Sequence, residues 1–172
     1  SYLADPGTEL PWAECNVHLE GGSKHKIPFL PVVNARWAPC GTHKYTRDIR
    51  LDAQLVFVGD GVVRSGSDPY RDIDVTGKVV MFCRDFPDSI HPGLEKEYPL
   101  ERRVGESVSR KAAGIVVFSW ANEYPFPRYR DTANVPELTI IAINRRSAEI
   151  IFASAGLDAE RLFNAWKSEG KF

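Results

Sequence analysis

A run of five apolar residues, Val79–Cys83, lies between the turn-forming pair Gly77-Lys78 and the charged pair Arg84-Asp85. A continuous apolar run between turn signals is typical of a strand buried on both faces, and such strands belong mostly to parallel sheets covered by helices. Two more runs of this kind follow, at Gly114–Trp120 and Leu138–Asn144. The sequence therefore predicts an α/β fold around a buried sheet.

A helix is predicted between the first two of these strands. Val104, Val108 and Ala112 recur at four-residue spacing, which places them on one helical face, and Gly114 is predicted as the left-handed residue at the helix end. A strand, a helix and a second strand over this length predict a parallel crossover unit.

Two helices are predicted after the last strand. Asn144 is expected to cap the first helix and Gly156 to end it, and the second helix is expected to begin at Asp158. The apolar residues expected on the inner faces of the two helices are Ala148, Ile151 and Ala155, and then Leu162, Phe163 and Trp166.

The first part of the chain is irregular, because proline and glycine interrupt short apolar pieces. We predict an N-terminal arm over residues 1–50 that packs on a domain formed by residues 51–172. Within the arm, "IPFLPVVNARW" can supply an edge strand, where proline is tolerated. Ala53–Gly59 reads as a strand and Gly59–Asp72 as a hairpin-like excursion rich in turn residues.

Charge and hydropathy exclude two classes of partner. The chain of 172 residues has 22 basic and 23 acidic residues and a net charge of -1. No overall field therefore favours nucleic acid, and no apolar stretch approaches the roughly 20 residues of a membrane span. Since the chain opens at Ser1 and its one methionine is Met81, we expect that a leader was removed or that the piece was excised from a longer protein.

The three cysteines do not form a disulfide framework, since their number is odd. Cys83 is expected to be a core thiol, whereas Cys15 and Cys40 can pair or stay reduced. Cys15-x-x-His18 and Cys40-x-x-His43 repeat one short unit whose four ligands can close a structural zinc site. Coincidence is the favoured interpretation, because such sites usually pair two Cys-x-x-Cys units, and no metal or other cofactor is predicted. A free-standing ligand- or metal-binding protein with a structural zinc at these four residues is the alternative hypothesis for the function.

Catalytic motifs are not matched. Gly59-x-Gly61 follows a strand but precedes a turn in place of the helix that a dinucleotide site requires. "GESVS" (Gly105–Ser109) lies inside the predicted helix and lacks the last glycine of a serine-hydrolase elbow. A small hydrolase that uses a pair such as Asp88 and His91 ranks last among the hypotheses.

Two loops are candidates for binding. The acidic loop is expected to be a solvated turn, because it lacks the ligand spacing of a calcium loop; its carboxylates are Asp60, Asp68, Asp72 and Asp74. The aromatic loop Trp120–Asp131 carries residues typical of binding surfaces, and packing of those rings onto the core is an equally supported alternative.

Three segments together resemble the protease-associated domain. They read "LVFVGDGVV…DPYRDIDVTGKVVMFCRD", "RKAAGIVVFS" and "VPELTIIAINRRSAEIIFASAG". In that family an Asp-x-x-Gly-Lys turn precedes a central strand, Ala-Ala-Gly precedes the next one, and a proline begins a third. The resemblance covers about Gln54–Gly156 and is greatest to the domain found in zinc aminopeptidases related to the transferrin-receptor ectodomain.

The resemblance implies a swivelling β/β/α fold with a mixed sheet and a non-catalytic role in a secreted or cell-envelope peptidase. Such a module shapes substrate access or contacts proteins, so the implied partner is a peptide or protein substrate of a linked peptidase domain. The exposed candidates for contact are Tyr124–Asp131 and Ser65–Arg71. The peptidase group's His-x-Asp unit does not occur in this sequence, and "FPDSIHPGLEKEYPLERR" is longer than the family's loop before the helix. No catalytic, cofactor-binding or metal-binding residue is therefore predicted.

Overall fold

The computed structural model describes residues 16–18, 24–27, 30–31, 35–37, 43–45, 51–87, 93–121 and 139–169. The strands are β1 (Asn16–His18), β2 (Lys24–Lys26), β3 (Leu30–Pro31), β4 (Ala35–Trp37), β5 (His43–Tyr45), β6 (Leu55–Phe57), β7 (Val79–Cys83), β8 (Gly114–Phe118) and β9 (Thr139–Ile143). The helices are α1 (Leu94–Glu97), α2 (Leu100–Ser109), α3 (Arg145–Ser154) and α4 (Ala159–Glu169).

The main sheet has five strands in the order β3-β9-β8-β7-β6. Its four strands β6 to β9 are parallel, with Val79 of β7 opposite both Leu55 of β6 and Gly114 of β8. β3 pairs antiparallel with β9 at one edge, where Pro31 is tolerated. The predicted α/β class and the predicted edge strand are confirmed, and β7 is an interior strand next to the central strand β8.

The alternation of side chains along the parallel strands divides the core in two. Val80 and Phe82 face one cluster, which α2 covers with Leu100 and Val104. Met81 and Cys83 face the other cluster, which α3 and α4 cover. Since both faces of the sheet are buried, the strands read as continuous apolar runs without alternation.

The short strands of the first fifty residues form three separate pairings. β1 pairs with β2, and β4 pairs with β5, each in a two-stranded antiparallel sheet. β3 joins the main sheet, and Ile27 is only 1% exposed within the second core cluster. The domain boundary at residue 50 stays a prediction.

The predicted inner face of α2 is partly wrong. Val104 is buried, but Val108 is 37% exposed and Ala112 lies beyond the helix end. The buried stripe is instead Leu100, Arg103, Val104 and Ser107, at spacings of three and four residues. Because two members of this stripe, Arg103 and Ser107, are polar, the spacing of apolar residues does not predict it.

The predicted left-handed residue at the end of α2 is also wrong. Gly114 begins β8, and Lys111 has the positive φ, at 61°. The Lys111 carbonyl accepts a hydrogen bond from the Gly77 amide at 2.9 Å, which holds this bend against the turn before β7.

The ends of the last two helices agree with the sequence. The Asn144 side chain accepts a hydrogen bond from the Ser147 amide at 3.0 Å, and Gly156 has φ 71° at the end of α3. Asp158 accepts from the Arg161 amide at 3.0 Å and so caps α4. Leu162, Phe163 and Trp166 pack against the second core cluster as predicted, whereas Ala155 is an exposed C-cap.

Among the described residues, no helix is long and apolar enough to cross a membrane.

Candidate functional site at the carboxyl edge of the sheet

The strands β6 to β9 are parallel, so their carboxyl ends meet at one edge of the sheet, where α/β proteins bind ligands. We call this region the carboxyl edge. Its polar residues come from the last residue of β7, from the segments after β6, β7 and β8, and from α2. They are Asp60, Cys83, Arg84, Asp85, Arg103, Ser119 and Trp120.

Arg103 is the most deeply buried charged residue of the carboxyl edge, with 1% of its surface exposed. Its Nη1 donates hydrogen bonds to the carbonyl oxygens of Cys83 at 2.8 Å and Asp60 at 3.1 Å. Its Nη2 donates to the carbonyl oxygen of Arg84 at 2.8 Å. One side chain from α2 thus fixes the segments that follow both β6 and β7.

The guanidinium is held by main-chain oxygens and not by a counterion. In the described part of the chain, Arg103 forms no ion pair with a carboxylate. The rings of Phe86 and Phe82 lie over it, with centroids 4.6 and 5.5 Å from Cζ. Burial lowers the pKa of Arg103 from its ordinary value, while the charges of Asp60 and Glu95 oppose that shift.

One nitrogen of Arg103 has no acceptor. A guanidinium has five N–H donors, of which the three carbonyl oxygens use three, and the buried Nε atom has no hydrogen-bond partner in the described part of the chain. Buried donors are nearly always paired, so an orphan of this kind requires an explanation.

Asp85 joins the ends of β7 and β8. Its Oδ2 accepts hydrogen bonds from the Ser119 hydroxyl and the Trp120 amide, both at 2.7 Å. The Ser119 Oγ in turn accepts from the Ala121 amide at 3.1 Å. Because Ser119 is 2% exposed, its hydroxyl serves to anchor the chain where it leaves β8.

Cys83 is a core thiol, as predicted, with no exposed surface. Burial raises its pKa well above the ordinary thiol value, and the charge of Asp85 acts in the same direction. The thiol donates a weak hydrogen bond to the Asp85 carbonyl at 3.6 Å. A neutral buried thiol is a poor nucleophile, so Cys83 contributes packing.

Trp120 packs into an aromatic cluster beside the carboxyl edge. Its ring stacks on Phe152 at 6.0 Å and contacts Phe163 at 5.2 Å. The Arg145 guanidinium lies 4.4 Å from the Phe163 centroid and 5.8 Å from that of Trp120. Trp120 itself therefore follows the packing alternative that the sequence left open for the aromatic loop, and residues 122–131 of that loop lie outside the described residues.

The opposite, amino edge of the sheet has a shallow cavity of about 290 Å³. Asp74 and Thr76 of the turn before β7 line it, together with Arg110 and Lys111 at the end of α2. Arg110 already pairs with Glu106 at 2.7 Å and Asp68 at 3.3 Å. The hydrogen bonds from Thr76 lower the pKa of Asp74. The charged groups of Asp74 and Arg110 are therefore both bonded to neighbouring residues of the protein.

The acidic loop is a set of turns, as expected. Asp60, Asp68 and Asp74 each accept a hydrogen bond from the amide two residues later, at 2.9, 2.8 and 3.0 Å. Among the described residues, no group of three or more histidine, cysteine, aspartate or glutamate side chains is placed to hold a metal.

The other sequence candidates fall partly outside the described residues. Cys15 and Cys40 lie there, and only the backbones of His18, the last residue of β1, and His43, the first of β5, are described. Asp88, His91 and Tyr124–Asp131 also lie outside. In the described loop Ser65–Arg71, residues 65–67 and Arg71 are exposed, whereas the buried Tyr70 hydroxyl lies 3.1 Å from Ser107 Oγ.

Sequence reasoning missed the roles of Arg103 and Asp85. The available signal was the position of Arg103, which lies three residues after Leu100 and one before Val104. This spacing places a charged residue on the inner face of α2. Asp85 gave no such signal, because its partners lie 34 and 35 residues later in the chain.

No model of a known protein family matches this sequence, and a search of curated proteins finds no match.

Proposed function

We propose that this chain is a protease-associated module that has no catalytic role of its own and that modulates substrate access or protein contact for a zinc aminopeptidase-like peptidase. The observation that carries the proposal is the bonding at the carboxyl edge. There the Arg103 guanidinium and the Asp85 carboxylate are bonded to main-chain groups. Groups bonded in this way fix the path of the loops and are not free for acid–base or nucleophilic chemistry.

The motifs behind the resemblance have structural roles that suit a scaffold. In the Asp-x-x-Gly-Lys turn, Asp74 accepts from the Thr76 amide, and Gly77 donates to the Lys111 carbonyl. The segment Ala112–Gly114 leads into β8, and the Ala113 amide donates to the Lys78 carbonyl at 2.8 Å. These bonds tie the starts of the two strands together, which supports assigning the motifs to a fold and not to a reaction.

A contact surface is provided by the loop Ser65–Arg71. The Tyr70 ring anchors it on α2, with Arg110 Cζ 4.7 Å from the ring centroid, and Asp68 accepts from Arg110 at 3.3 Å. An anchored loop with an exposed tip suits protein contact, because little conformational entropy is lost on binding. We assign the partner as a peptide or protein substrate of a linked peptidase domain, in a secreted or cell-envelope setting.

The test is the activity of the purified chain. We expect no release of nitroaniline from a panel of aminoacyl-nitroanilides above the buffer rate, with or without added zinc. A chelator-sensitive rate that scales with the concentration of the chain, and that persists through a second purification step, would contradict the non-catalytic role.

A further inference from the structure

The orphan donor of Arg103 lies in a setting that suits an anionic ligand. The side chain is 1% exposed, its Nη atoms donate to three carbonyl oxygens, and its Nε–H has no acceptor among the residues that the structure describes. It also lies at the carboxyl edge, where ligands of parallel sheets bind. A buried cation without a counterion is costly, and an anion brought to it removes part of that cost.

We propose that the carboxyl edge binds a carboxylate group that accepts a hydrogen bond from the Nε–H of Arg103. This site goes beyond the module role proposed above and does not depend on it.

The acceptor has to lie in the plane of the guanidinium, because hydrogen bonds to this group form in its plane. The ring centroids of Phe86 and Phe82 lie 4.6 and 5.5 Å from Cζ, so apolar rings flank the group. A carboxylate is small and flat and can place an oxygen in that plane.

The charges of the neighbouring residues favour a single negative charge. Arg84 pairs with Glu95 at 3.3 Å, and Asp60 pairs with Arg64 at 3.4 Å. The Asp85 carboxylate accepts from Ser119 and Trp120. Among the described arginines of the carboxyl edge, Arg103 is thus the one that forms no ion pair, and one positive charge matches a carboxylate better than a phosphate dianion.

The experiment is a titration of the whole chain, labelled with ¹⁵N, in which the Arg103 Nε–H resonance is assigned through bonds and no variant is needed. Sodium acetate is the probe, and sodium chloride at the same ionic strength is the control. Two other arginines provide internal references, because Arg110 Nε donates to Glu106 at 2.9 Å and Arg145 Nε donates to Glu149 at 2.7 Å.

We expect the Arg103 Nε–H proton to resonate upfield of those two references before acetate is added. Acetate should then move it downfield toward them in a saturable way, and chloride should not. An Arg103 resonance that acetate leaves in place, or that exchanges with a buried water and ignores acetate, would overturn the site.

A second titration separates the two sources of a carboxylate. A tripeptide with a free carboxyl terminus that saturates at lower concentration than acetate indicates a peptide terminus, and equal or weaker saturation indicates a small organic acid. The same tripeptide with an amidated terminus is the matched control, and a shift as large as that of the free peptide would contradict carboxylate recognition.

Discussion

The Oδ2 atom of Asp85 lies 2.7 Å from the Oγ atom of Ser119, so the segment that follows β7 is bonded to the segment that follows β8. The same oxygen accepts the Trp120 amide. This link fixes the point from which the chain leaves the central strand, and it makes the carboxylate a structural group.

Replacing Asp85 with alanine should lower the free energy of unfolding by about 2–4 kcal/mol, because two buried donors lose a charged acceptor. Asp85→Asn keeps an acceptor oxygen and should cost roughly half as much. Urea denaturation measures both. Asp72→Ala is the control, since Asp72 is exposed, and it should stay within about 0.5 kcal/mol of the wild type. An Asp85→Ala variant as stable as that control would contradict the structural role.

Replacing Arg103 with methionine should cost about 3 kcal/mol or more, because three carbonyl oxygens lose their donors in a buried site. Arg103→Lys should cost less, since an ammonium group retains three donors without the planar fork. Arg102→Met on the same helix is the matched control, because Arg102 is exposed. Equal urea midpoints for Arg102→Met and Arg103→Met would show that the bonds to the carbonyl oxygens contribute nothing.

Gly61 has φ 68°, and a Cβ added there would lie 3.2 Å from the Phe82 ring. Gly66 has φ 81° with nothing near its Cβ position. Gly66→Ala should therefore cost only backbone strain, about 1–2 kcal/mol, and Gly61→Ala should cost more. Thermal unfolding of the two variants measures the difference. A larger loss of stability for Gly66→Ala than for Gly61→Ala would contradict this, because it would mean that the Phe82 ring moves aside at no cost.

The Cys83 thiol predicts a loss of stability at alkaline pH. Burial raises its pKa in the folded protein, whereas an unfolded thiol ionises near pH 8.5. Above that pH the unfolded chain releases a proton that the folded chain keeps, so stability falls by up to about 1.4 kcal/mol per pH unit. Below the pKa of the unfolded thiol, both states keep the proton, so the stability that Cys83 contributes is fully present.

Cys83→Ala should remove that slope. Its stability relative to the wild type should be constant between about pH 6 and 7.5 and should improve between about pH 8.5 and 9.5. Denaturation at each pH measures both proteins. Parallel stability curves across the whole range would contradict a neutral buried thiol.

The sheet was predictable from the sequence because burial on both faces leaves uninterrupted apolar runs. β7 occupies the predicted Val79–Cys83, and β9 lies within Leu138–Asn144. The Asn144 cap and the Asp158 cap were predictable because each bonds an amide three residues later. Hydrogen bonds between residues this close in the chain can be predicted from short sequence motifs.

The carboxyl edge was not predictable, because its bonds are not local. Arg103 reaches carbonyl oxygens 19, 20 and 43 residues away. Every residue has a main-chain carbonyl, so no sequence pattern predicts which carbonyl oxygens accept hydrogen bonds from Arg103. The same bonds place a charged residue on the inner face of α2, which is why the apolar spacing of Val104 and Val108 predicted that face only in part.

We propose that the chain is a non-catalytic module of a zinc peptidase, and the native protein offers a direct test. The native protein is immunoprecipitated from its own cells with an antibody against this chain. The mass of the precipitated polypeptide and its peptidase activity are then measured. We expect a polypeptide much heavier than 19.3 kDa with aminopeptidase activity that a chelator removes. A product near 19.3 kDa without associated peptidase activity would contradict it.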